Sequence, residues 1–151
     1  MEQRRILPIG IQDFEDLRNR GCLYVDKTAL IYHLVKNGKP YFLSRPRRFG
    51  KSLLLSTLDA YFSGRKDLFS GLAIEQLETE WTRYPVLKIS FGSGNFVETK
   101  GLVAKLEYIV SHFEEDFEIK KESEDFTARL SNIIERLYKK TGKQVVILID
   151  E

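Results

Sequence analysis

Apolar positions along the chain follow two different rhythms. Ala29, Leu30, Ile31, Leu34 and Val35 recur at the spacing of one helix face, and so do Leu53, Leu54, Leu55, Leu58, Tyr61 and Phe62. Asp26 stands at the N-cap position of the first of these helices, and Gly38 and Gly64 stand where the two should stop. A short helix is expected near 14–18, and two longer ones at roughly 100–117 and 123–141, the last ending before Gly142. The stretch 68–81 reads as loop and short helix.

Three segments keep a strand-like pattern instead. Tyr41, Phe42, Leu43 and Ser44 form a β-rich run bounded by Pro40 and Pro46. Residues 86–91 alternate around Lys88 and Ser90, and Gly92, Gly94 and Asn95 end the run. Residues 145–149 are apolar throughout, as expected of a parallel strand covered on both faces. Strands separated by helices long enough to serve as crossovers predict an α/β fold with a mainly parallel sheet.

Composition narrows the class. The 151 residues are 42% hydrophobic, which excludes a disordered chain. A single cysteine, Cys22, cannot form an internal disulfide and implies a buried thiol or a reducing compartment. The run 145–149 is the longest apolar stretch, far short of the ~20 residues that span a membrane. Residues 1–5 lack the apolar core of a secretory signal, so a cytoplasmic location is expected. His33 and His112 lie in no cluster with zinc-ligand spacing.

Charge is unevenly spread. Residues 1–52 hold 11 Lys and Arg against 5 Asp and Glu, whereas the remainder is net acidic. The positive excess is densest at Arg45, Arg47, Arg48 and Lys51, and the acidic excess from Glu114 to Asp125 reads as solvated helix ends. The basic segment passes from a predicted strand through a tight loop into a predicted helix. Its ending, Gly50-Lys51-Ser52, matches the tail of the phosphate-binding pattern G-x-x-x-x-G-K-[ST]. Gly50 lets the backbone approach a phosphate, Lys51 supplies a mobile point charge, and the Ser52 hydroxyl suits a hard cation such as Mg²⁺. Amides around Leu53 at the helix start add donors, and Arg47 and Arg48 add guanidiniums beside them. The pattern departs at its first position, where Arg45 replaces glycine ahead of Pro46.

At the end of the chain, the apolar run 145–149 delivers Asp150 and Glu151. Carboxylates at the C-terminal end of a strand sit where open α/β sheets bind ligands. There Asp150 would hold Mg²⁺ and Glu151 would orient or deprotonate an attacking water.

The string Arg45-Pro46-Arg47-Arg48-Phe49-Gly50-Lys51-Ser52, with Ile9–Phe14, Tyr24-Val25-Asp26-Lys27-Thr28 and Leu148-Ile149-Asp150-Glu151, resembles the bacterial and archaeal AAA-ATPase-like family. In that family Arg occupies the first glycine position of the loop. The resemblance implies a three-layer P-loop NTPase fold with strand order 5-1-4-3-2, here lacking the strands after Asp150 and Glu151. On this view residues 1–151 are the N-terminal part of one domain, with a helical lead-in at 1–40 and a core at 41–151, and the chain is a piece of a longer protein or a truncated reading frame. The implied function is ATP binding and Mg²⁺-dependent hydrolysis by the longer protein, with this piece alone inactive. The implied site is Arg47, Arg48, Phe49, Gly50, Lys51, Ser52 and Leu53 on nucleotide, Ser52 and Asp150 on Mg²⁺, and Glu151 as base. A PD-(D/E)XK nuclease-like domain often follows in the family and would bring nucleic acid as a partner. The alternative is a non-catalytic module that responds to nucleotide or binds nucleic acid and regulates an attached effector.

Overall fold

In the computed structural model, residues 6–92 and 99–150 are described, and the chain divides into two compact units, 1–83 and 84–151.

The first unit is helical. Helix α1 (Phe14–Asn19) begins at Asp13, whose carboxylate accepts the Asp16 N–H. Helix α2 (Thr28–Lys36) follows, with the Asp26 carboxylate accepting the N–H of Thr28 at its start. Helix α3 (Lys51–Phe62), a single 3₁₀ turn (Lys66–Phe69) and the short α4 (Ile74–Leu77) complete the unit. Its core is aromatic at the centre. Phe14 and Phe69 are fully buried, with ring centroids 4.9 Å apart, and Trp81 packs against both Phe69 and Tyr61. Burial of each such ring contributes roughly 1.5–3 kcal/mol. Cys22 is buried as a thiol. Gly64 turns the chain after α3 with φ +70°, and a Cβ there would meet the Trp81 carbonyl oxygen at 3.1 Å.

The predicted strand at 41–44 does not form. Among the described residues this run has no strand partner, and Tyr41, Phe42 and Leu43 are exposed. Its composition favours extended backbone, but a strand also requires a neighbouring ladder for its N–H and C=O groups.

The second unit is a β-α-α-β arrangement. Strands β1 (Val86–Ser90) and β2 (Val146–Asp150) pair in parallel from Val86↔Val146 to Ser90↔Asp150. Helices α5 (Thr99–Asp116) and α6 (Phe126–Thr141) lie between them in sequence, as a parallel connection requires. Leu87 and Ile89 face a cluster of Ile109, Val110, Phe113, Ile133 and Leu137, while Lys88 and Ser90 face outward. The parallel pairing of these two strands is consistent with the expected α/β class.

Two expectations are corrected here. Strand β2 is not covered on both faces: Ile147 and Ile149 are 42% and 53% exposed. Faces of a parallel strand are covered by packed helices, and the cluster that α5 and α6 build over Leu87 and Ile89 does not include Ile147 or Ile149. The acidic run is not uniformly solvated either. Glu114 is buried against Arg129 in a two-pronged pair, Nε to Oε1 at 2.9 Å and Nη2 to Oε2 at 2.7 Å. Further along the run, Asp125 caps α6 by accepting the N–H groups of Thr127 and Ala128.

Candidate phosphate-binding loop

Between Asp26 and Asp59 the sequence contains no acidic residue and seven basic ones. Helix α3 opens inside this stretch. Its preceding residue, Gly50, is left-handed at φ +77°, and nothing lies within 4 Å of where a Cβ would stand. The Gly50 carbonyl accepts the Leu54 N–H at 3.0 Å. The N–H groups of Lys51, Ser52 and Leu53 therefore precede the first intrahelical bond. No side chain caps them, and the first turn of α3 carries no acid. This contrasts with α1 and α6, whose first amides are taken by Asp13 and Asp125. Unmatched amides and the positive end of the helix dipole make this terminus favourable for an anion.

The loop ahead of it is cationic and accessible. Arg45, Arg47, Arg48 and Phe49 are exposed, and the three guanidiniums form no ion pair among the described residues. Arg48 is left-handed at φ 65°, a conformation that costs a non-glycine residue about 1–2 kcal/mol. Lys51 Nζ reaches back across the loop and donates to the Arg45 carbonyl at 3.0 Å. Ser52 lies next to it in the first turn of α3, half-buried.

Asp150 ends β2 in the second unit. Its backbone carbonyl accepts the Phe91 N–H at 2.9 Å, and its carboxylate has no hydrogen bond or ion pair among the described residues. Glu151 lies outside the described residues. The described residues contain no group of three or more His, Cys, Asp or Glu able to hold a metal.

The Asp26–Thr28 motif, by contrast, is engaged in the scaffold. Asp26 Oδ1 accepts the Thr28 hydroxyl at 2.7 Å, and its Oδ2 accepts the Ala73 N–H at 2.7 Å. Thr28, fully buried, accepts the Ile74 N–H at 3.1 Å. Burial pushes the Asp26 carboxyl up, but these donors and nearby Arg18 outweigh it and hold it below the ordinary aspartate value. The expected N-cap is displaced by one residue: Lys27 occupies that position, and Asp26 ahead of it accepts the Thr28 N–H, while nothing in the sequence marked its partner 47 residues away.

A family model described as Predicted AAA-ATPase matches residues 8–151. The chain belongs to this family. A similar protein, named only as an uncharacterized protein in the vnfD 5′ region of Azotobacter chroococcum mcd 1, is 41% identical over 150 residues. That match covers 98% of this AAA-ATPase-like chain but 29% of the relative, so the chain spans less than a third of it. No solved structure matches the chain. No helix among the described residues is long and apolar enough to cross a membrane.

Proposed function

We propose that the chain is the ATP-binding module of a Mg²⁺-dependent ATPase, with residues 47–53 as its phosphate-binding loop. The observation that carries this is the opening of α3: a left-handed glycine, three amides ahead of the first intrahelical bond and no capping side chain, in an acid-free cationic segment. An anionic chain of phosphates supplies the acceptors that this terminus lacks. Backbone donors of Gly50, Lys51, Ser52 and Leu53 orient the phosphates. Lys51 neutralises them as a point charge, and Arg47 and Arg48 offer forked donors from the exposed side of the loop. Phe49 lies between those guanidiniums and Gly50, within the same contact segment.

The Ser52 hydroxyl and the Asp150 carboxylate are assigned as the groups that would hold Mg²⁺, which would supply charge neutralisation on the transferring phosphoryl group. Glu151 is assigned the proton of the attacking water. Catalysis in this scheme is positioning and electrostatics, with no covalent enzyme intermediate. We assign hydrolysis to a longer protein that carries this module, with an attached effector as its expected output. Titrating Mg·ATP into wild type and Lys51→Ala tests the assignment. Loss of saturable binding in the variant is expected, and equal affinity would reject it.

A further inference from the structure

The segment Ile9–Phe14 resembles the family in sequence but lies outside the phosphate-binding loop. The structure places its last two residues against the helix that carries the loop. Ser56 Oγ donates to Asp13 Oδ2 at 2.9 Å and accepts the Phe14 N–H at 2.8 Å. The other oxygen of the same carboxylate caps α1 through the Asp16 N–H at 2.8 Å. Asp13 is thus divided between the start of one helix and the flank of another.

Position along α3 gives this clamp its meaning. The C-terminal half of the helix is held by buried Thr57, Leu58, Ala60 and Tyr61, whereas residues 51–56 are only half-buried. Ser56 ties that half-buried part of α3 to the start of α1. It lies four residues after Ser52, hence on the same helix face and about 6 Å along the axis. Phe14, next to Asp13, is fully buried among Tyr24 and Phe69, so the clamp is anchored in the unit's core.

We propose that the Asp13–Ser56 clamp is a positioning device for the phosphate-binding end of α3. It fixes the rotation and axial position of the first turn, so that the Ser52 hydroxyl and Lys51 ammonium meet the ligand without a rearrangement cost. Neither Asp13 nor Ser56 touches the ligand. Because displacement of about 1 Å at a reacting group can cost far more than a bond's own worth, a tie one turn away is a sensitive control point. This proposal rests on the phosphate reading of the loop.

The test uses the full-length chain carrying Ser56→Ala, with Ser56→Thr as the conservative variant. Ser56→Ala should raise the Kd for Mg·ATP about tenfold at a temperature well below its Tm. Ser56→Thr, which keeps the hydroxyl, should stay near wild type. In a Ser52→Ala background the Ser56→Ala penalty should be smaller, because part of what the clamp positions is the Ser52 hydroxyl and the rest is Lys51. Without nucleotide, amide exchange at Leu54 and Leu55 should quicken in Ser56→Ala while Tyr61 is unchanged. A Tm loss with unaltered Kd and exchange would make the contact merely structural and overturn the proposal. So would an equal penalty in the Ser52→Ala background. Failure of wild type to bind ATP would instead reject the phosphate reading, and the exchange comparison would still decide whether the clamp holds α3.

Discussion

Lys51 Nζ donates to the Arg45 carbonyl oxygen at 3.0 Å, so the last cation of the loop closes on the residue that stands in place of its usual first glycine. The bond explains how a loop with Arg-Pro at its entry holds a compact form. It takes one donor of an ammonium that has three, leaving two for an incoming anion.

Two glycines separate loop chemistry from fold stability. Gly50 and Gly64 are both left-handed, at φ +77° and +70°, but only Gly64 would place a Cβ against backbone, 3.1 Å from the Trp81 oxygen. Alanine at Gly50 should cost about 1 kcal/mol of stability from backbone strain, and alanine at Gly64 more. ATP affinity should follow the opposite order, with Gly50→Ala the more damaging. Urea midpoints and Kd values measured on both variants check this, and a reversed order in affinity contradicts it.

The strand-end carboxylates should divide by role. Glu151→Gln is expected to keep ATP affinity and slow turnover in the longer protein by about 10²–10⁴-fold. Asp150→Asn should instead raise the Mg²⁺ concentration needed for half-maximal binding. Steady-state rates and Mg²⁺ titrations distinguish them, and unchanged turnover in Glu151→Gln would remove it from the chemistry.

Acid should loosen the first unit. Burial pushes the Glu78 carboxyl up, but the Tyr61 hydroxyl, the Glu80 amide and Lys36 outweigh it and hold it below its ordinary value, as the partners of Asp26 do there. Groups depressed on folding contribute stability that is present above their unfolded values, about 4, and is lost as pH falls through their lower folded values. Urea midpoints should therefore drop below about pH 4, and Glu78→Gln should lower the neutral-pH midpoint while flattening the acid slope. An unchanged slope in that variant contradicts the account.

The second unit should depend on Arg129. Its side chain and that of Glu114 are 3% and 9% exposed. Removing one partner leaves a buried charge, so Arg129→Ala should cost about 3–5 kcal/mol, whereas Arg129→Met with Glu114→Leu should recover most of that loss. Denaturant unfolding measures both, and a cost under about 1 kcal/mol for the single change would show the pair is dispensable.

These residues also mark what a single sequence discloses. Helices α2, α3 and α6 were legible because their signals are local: a repeating apolar face in α2 and α3, Asp26 ahead of α2, and a glycine just past the end of each. Strands β1 and β2 were legible from alternation and from a continuous apolar run. The run 41–44 carried the same signal and formed no strand, because pairing depends on a partner that propensity does not encode. Glu114 looked solvated because its partner lies 15 residues away on another helix. Asp13 and Ser56 are 43 residues apart, and no spacing rule joins them. The loop was legible residue by residue because its chemistry lies in one short segment.

The central claim is that the first amides of α3 receive phosphate. The most direct measurement is the amide NMR spectrum during titration with Mg·ATP, repeated with inorganic tripolyphosphate. The account predicts that the Lys51, Ser52 and Leu53 amides shift most with both ligands, and that Lys51→Ala abolishes the shifts. Saturable binding of either ligand that leaves those three amides unmoved would contradict it.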